Sequence, residues 1–247
     1  MRRVASSDAP TATWQAVLLD LDGTLLDSLP DLAAAANAMR VDMALNPLPN
    51  AEIGTFVGKG VDVLVACALT GEINTPVPTN DARFEQARAC FYEHYTVLNG
   101  QHATLFEGVM AGLDIFQSRG LKLGIVTNKP TVFTLPLLER TGLAPFIQTV
   151  ICGDTCASRK PDPDPMLLAC ERLACKPPQT LVIGDSINDA LSARAAGCQV
   201  LAVPYGYNEG QPVTDLPVDG IVQTLVVAAE WMDENQPTTT LHRPYSD

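Results

Sequence analysis

Apolar positions along the 247-residue chain follow two different patterns. From residue 120 onward, short apolar runs alternate with stretches whose apolar residues recur every three or four positions. The runs LKLGIVT (121–127), QTVICG (148–153), TLVIGD (180–185) and CQVLAV (198–203) contain few polar interruptions, as strands buried on both faces do. The stretches 131–142, 165–175 and 187–197 carry the helical period. Alternation of this kind predicts βαβ units, and so an α/β fold with a parallel sheet and helices on both faces. The run at 15–21 has the same character and predicts a further strand of that sheet.

Between this first strand and the rest, the chain reads as helix alone, over 31–45, 51–56, 60–71 and 80–98. The first of these, DLAAAANAMRVDMAL, is alanine-rich and stops before Pro47 and Pro49. An all-helical block set after the first strand of a sheet is most simply an insertion, which would form a cap over the sheet's edge. The expected division is a leader at 1–14, a core at 15–27 and 101–235, a helical cap at 28–100 and a polar, proline-containing tail at 236–247.

Composition narrows the class. Hydrophobic residues make up 47% and charged residues 18%, and no stretch approaches the roughly 20 apolar residues of a membrane span, so a soluble protein is expected. A net charge of −12, unrelieved by any basic run, disfavours nucleic acid and anionic lipid surfaces as partners. The leader holds Arg2 and Arg3 but no signal-like apolar segment, and Asp8 suits a transit peptide poorly, which points to the cytoplasm. Seven scattered cysteines without CxxC spacing read as reduced core thiols. Nothing in the sequence fixes an oligomeric state.

Polar residues at the strand ends carry the chemistry. Asp20 and Asp22 close the first apolar run, where a charge without a partner would cost several kcal/mol. The other strands end in Thr127-Asn128-Lys129 and in Gly184-Asp185-Ser186, with Asp189 close behind, and Lys160 precedes the helix expected at 165–175. Ligands of open parallel sheets bind at these carboxyl ends, so the groups can converge. Asp20, Asp22 and Asp185 would then suit Mg²⁺, an oxygen-seeking cation, with Lys160 offsetting further charge. A carboxylate so placed can attack phosphorus. Thr127, Asn128, Gly23 and Thr24 would cradle the phosphoryl group. Asp185 and Asp189 also fit an ordinary helix N-terminus, although Ser186 can fill that cap and free Asp185 for metal. Lys59, between two glycines, is either an exposed loop cation or one that closes over a substrate carboxylate. Tyr205 and Tyr207 are expected to pack a loop.

The segments DLDGT, TNK, RKPDPDP and GDSINDA resemble, in order, the four motifs of the haloacid dehalogenase (HAD) superfamily. The resemblance implies a modified Rossmann fold, with Asp20 as nucleophile and Asp22 as the acid and base that also lends its backbone carbonyl to Mg²⁺. It assigns Thr127 to motif II, Lys160 to motif III and Asp185 to metal binding, with Asp189 acting through a water or as support. Asp22 separates the chain from the metal-independent dehalogenases of that superfamily, which lack this acid. The helical block resembles a C1-type cap. TFVGKGVDVLV and PYGYNEG are similar to segments of the bacterial phosphoglycolate phosphatases, which implies a small phosphorylated acid, 2-phosphoglycolate, as substrate. A phosphosugar phosphatase or mutase, or a homologue that binds a metabolite without catalysis, are the alternatives. Loss of an essential group would mark the last, yet Asp20, Asp22, Thr127, Lys160 and Asp185 are all present.

Overall fold

The computed structural model describes residues 13–235 and 237. The flexible leader and tail expected at the termini lie almost wholly outside the described residues. Trp14, counted with the leader, is instead held: its indole donates to the carbonyls of Met232 and Asn235 at 3.2 and 2.9 Å.

In chain order the elements are β1 (Ala16–Leu19), β2 (Leu26–Asp27), α1 (Leu29–Asp42), α2 (Asn50–Gly54), α3 (Val61–Thr70) and α4 (Ala82–Leu98). There follow β3 (Thr104–Leu105), α5 (Val109–Ser118), β4 (Lys122–Val126), α6 (Thr131–Arg140), β5 (Thr149–Ile151) and α7 (Asp164–Arg172). The chain closes with β6 (Thr180–Gly184), α8 (Ile187–Ala196), β7 (Gln199–Ala202), β8 (Gly220–Ile221) and α9 (Leu225–Glu234). Six strands form one parallel sheet in the order β5-β4-β1-β6-β7-β8. The α/β expectation holds, and β1 lies inside the sheet, with Leu19 level with Ile125 on one side and Ile183 on the other.

The period of two along β1 explains its unbroken apolarity. Val17 and Leu19 join the core that contains Leu113 and Phe116 of α5 and Leu225 and Ala228 of α9. Ala16 and Leu18 point the other way, toward Met166 and Ala169 of α7 and Ala193 of α8. Both faces of the strand are dry, so any polar group must wait until the strand ends.

Helices α1 to α4 enclose a third core, with Met39, Ile53, Leu64, Phe84, Phe91 and Tyr95 buried together and Phe133 of α6 packed in from the core unit. The chain leaves for this block after β2 and returns through β3, and the two strands pair antiparallel, Leu26 opposite Leu105 and Asp27 opposite Thr104. Asp31, fully buried, accepts hydrogen bonds from the amides of Gly100, His102 and Ala103 at 2.9, 2.9 and 3.1 Å, which stitches the outgoing and returning segments together. The hydropathy pattern predicts neither β2, β3 nor β8, because two residues are too short to carry a period. It also passes over α5 and α9.

All seven cysteines are free thiols. No helix among the described residues is long and apolar enough to cross a membrane.

Candidate active site

β1 ends at Leu19, and the next residue is Asp20, whose amide still donates to the Ile183 carbonyl at 3.0 Å. The Asp20 carboxylate therefore stands at the carboxyl edge of the sheet, between β4 and β6. Three loops bring groups to it. After β4 come Thr127, Asn128 and Lys129; ahead of α7 comes Lys160; after β6 come Asp185 and, one turn into α8, Asp189. All of them are buried.

Lys160 is the hub. Its ammonium lies 2.7 Å from Asp20 Oδ1 and 2.7 Å from Asp189 Oδ1, and it donates to the Val126 carbonyl at 2.7 Å. Burial alone would lower the Lys160 ammonium, but Asp189 and Asp20 outweigh it and hold the group charged.

Asp185 is seated by the backbone. Its Oδ1 accepts from Thr24 Oγ1 at 2.8 Å and its Oδ2 from the Tyr207 amide at 2.6 Å. A Cβ on Gly23 would fall 2.4 Å from Asp185 Oδ2, and one on Gly206 would fall 2.2 Å from Asp185 Cβ, so two glycines form a cradle around this acid. Gly23 also has φ of +91°, which a glycine adopts without strain. Asp189 accepts from the Ser186 amide at 3.1 Å and from Ser186 Oγ at 2.6 Å, a capping box at the start of α8.

Asp20, Asp185 and Asp189 present oxygen atoms within 4.8 Å of one another. Three carboxylates facing one ammonium leave two negative charges unbalanced. The strain registers in the acids: burial, then Asp189, pushes Asp20 well above the usual carboxylate range, and the same causes push Asp185 up to about 7. Such a site could hold a divalent cation. It has hard oxygen donors, an excess of two negative charges and a cradle that fixes Asp185.

Asp22 stands outside the group of three acids that the sequence reading placed it in, but lines the same cavity as Asp20. The chain leaves β1 at Leu19 and turns at Gly23, whose amide bonds the Leu26 carbonyl at 2.9 Å, and Asp22 swings toward the helical block. Its carboxylate meets the Lys129 ammonium at 3.0 and 3.2 Å and accepts from Ser28 Oγ at 2.5 Å. Lys129 in turn donates to the Tyr95 hydroxyl of α4 at 2.5 Å and lies 4.7 Å from the centre of that ring.

Three further candidates are bonded as follows. Thr24 faces Asp185, where its hydroxyl is spent. The Asn128 amide is tied to backbone: Nδ2 donates to the Gly58 and Lys160 carbonyls, both at 2.9 Å, and Oδ1 accepts from the Lys160 amide at 3.1 Å. Its side chain clamps the helical block to the Lys160 loop with both of its amide hydrogens, while the residue itself lines the cavity beside Thr127. Lys59 pairs with Glu209 at 2.7 Å and with Asn74 at 2.9 Å, and it is not among the residues lining the cavity. Thr127 does stand at the site, beside Asp20.

These groups floor a small cavity of about 30 Å³, with Asp20, Asp22, Thr127 and Lys129 on one side and Leu32 and Val61 of the helical block on the other. Space of that size admits little beyond a water or two. Lys129 and Tyr95 are the residues to which sequence reasoning gave no role here, and Tyr207, expected only to pack a loop, also holds Asp185 through its amide. The TNK segment carried the signal for Lys129, in an apolar context where a lysine needs a partner.

Comparison with known proteins identifies relatives of the chain. A family model described as haloacid dehalogenase-like hydrolase matches residues 17–203. The chain is 48% identical to a phosphoglycolate phosphatase of Thiobacillus denitrificans over 217 residues, 87% of this chain and 94% of that one. It is 42% identical to a phosphoglycolate phosphatase of Nitrosospira multiformis, across 90% of this chain and 96% of the relative. Among solved structures, a predicted phosphoglycolate phosphatase of Haemophilus somnus superposes with a TM-score of 0.80 at 30% identity, covering 88% of this chain and 97% of its own.

Proposed function

From the premise that the chain belongs to the haloacid dehalogenase-like hydrolases, we propose that it is a Mg²⁺-dependent phosphomonoesterase converting 2-phosphoglycolate and water to glycolate and phosphate. The observation that carries the reading is Asp20 at the end of β1, paired with Lys160 at 2.7 Å, grouped with Asp185 and Asp189, and lining a cavity between the sheet's edge and the helical block. Relatives named for the same reaction, at 42 and 48% identity, support the choice of substrate.

In this reading Asp20 attacks phosphorus. A bond forms between its carboxylate oxygen and phosphorus as the bond to the glycolate oxygen breaks, leaving an aspartyl-phosphate. Asp22 gives a proton to the departing oxygen, then takes one from the water whose oxygen bonds phosphorus and releases Asp20. Lys160 offsets charge on the phosphoryl oxygens, and the Thr127 hydroxyl orients them. Asp20, Asp185 and the Asp22 backbone carbonyl would hold Mg²⁺, with Asp189 as support. When bound, the cation neutralises the surplus acid charge and screens the phosphoryl group. The helical block acts as the cap that keeps bulk water from the reaction.

Phosphate release from 2-phosphoglycolate, measured with Mg²⁺ and with EDTA and set against a panel of sugar phosphates, tests the proposal. Metal-dependent turnover that prefers 2-phosphoglycolate is expected. Preference for a sugar phosphate, or no hydrolysis of any ester, would overturn it.

A further inference from the structure

We infer that Lys129 is the residue that reads the carboxylate of the substrate. The inference rests on 2-phosphoglycolate being the ester hydrolysed, and adds a specificity group that the motifs do not assign.

A small dianionic ester that also carries a carboxylate needs a cation at its non-phosphoryl end. Lys59 is turned to Glu209. Lys160 is engaged by Asp20, Asp189 and the Val126 carbonyl at the phosphoryl end. Lys129 lines the cavity, and it stands beside the acid proposed to meet the leaving oxygen.

The covalent geometry of the substrate then decides its position. In 2-phosphoglycolate a single carbon separates the bridging oxygen from the carboxylate. Whatever reaches the bridging oxygen is therefore a neighbour of the carboxylate. Asp22 is that group, and the Lys129 ammonium touches both of its oxygens, at 3.0 and 3.2 Å. The third ammonium donor goes to the Tyr95 hydroxyl at 2.5 Å. An arriving carboxylate takes the place of an Asp22 oxygen on the same ammonium, and Asp22, carrying the proton it is to donate, is neutral and keeps Ser28 Oγ beside it, so no buried charge is left unpaired. Tyr95, on α4 of the helical block, fixes where the ammonium points through its hydroxyl and its ring face.

The test compares kcat/KM for 2-phosphoglycolate with that for ethyl phosphate, which lacks the carboxylate, so that any general effect on Asp22 cancels in the ratio. Lys129→Met is expected to lower the ratio by about tenfold or more, as loss of a charged partner does, and Lys129→Arg to restore part of it. Should Lys129→Met not fold, Tyr95→Phe keeps the ammonium but frees its aim, and is expected to lower the same ratio by about threefold. A ratio unchanged in the variants that fold would overturn the assignment while leaving the proposed reaction standing. An unaltered enzyme that hydrolyses ethyl phosphate and ignores 2-phosphoglycolate would overturn both.

Discussion

The ammonium of Lys160 lies 2.7 Å from Asp20 Oδ1, and both groups are buried at the carboxyl edge of the sheet. Asp189 shares the same ammonium at 2.7 Å. Lys160→Met would leave these acids without their cation, and removing one member of a buried pair costs about 3–5 kcal/mol. Urea unfolding in EDTA at pH 8 is expected to show a loss of that order, and a smaller one at pH 5, where the acids can take up protons. An equal loss at both pH values would contradict the pairing.

Asp185 is pushed up to about 7 by burial and then by Asp189, against bonds from the Tyr207 amide and Thr24. Its value in the unfolded chain is about 4, so between about pH 4 and pH 7 the folded metal-free protein binds the proton more tightly, and stability falls as pH rises. Asp185→Asn removes that dependence. Relative to the unaltered protein in EDTA, the variant should gain stability from pH 4 to pH 8, by up to a few kcal/mol on the scale of about 1.4 kcal/mol per unit. Denaturation midpoints at a series of pH values measure it, and a difference that is flat with pH would refute the prediction.

Tyr207 joins the acid cluster to the first crossing into the helical block. Its amide donates to Asp185, while its hydroxyl donates to Asp27 Oδ1 at 2.5 Å and accepts from the Leu29 amide at 3.1 Å. Tyr207→Phe keeps the amide bond and removes the other two. Hydrogen exchange at the Leu29 amide is expected to speed by at least about tenfold, with a global cost of about 1–2 kcal/mol.

Lys59 and Glu209 meet at 2.7 Å with the lysine side chain 34% exposed. Pairs of that exposure contribute about 0–1 kcal/mol. With the ammonium paired to Glu209 and absent from the cavity lining, Lys59→Ala is expected to leave KM for 2-phosphoglycolate within about twofold. A large rise in KM would return Lys59 to the substrate.

The positions of Asp20, Lys160 and Asp185 were legible because each interrupts or follows an apolar run of a sheet covered on both faces, where a charge has to be answered. Directions were not. Asp20 and Asp22 sit two apart and part company at the Gly23 turn, a choice made by contacts with Lys129 and Ser28 rather than by spacing. Thr24 reaches Asp185 across 161 residues, and Asn128 reaches Gly58 across 70, so neither bond has a local signature. The run of helices α1 to α4 showed plainly in the change of period, whereas β2 and β3, which pair on either side of it, are too short to leave a pattern.

The central claim is that Asp20 takes the phosphoryl group. It is tested most directly by mixing the Mg²⁺-loaded enzyme with 2-phosphoglycolate, quenching within a turnover, and locating the adduct by peptide mass spectrometry. A phosphoryl group on Asp20, absent from Asp20→Asn, is the predicted result. Continued turnover with Asp20 unmodified at every quench time, or an adduct on another residue, would contradict it.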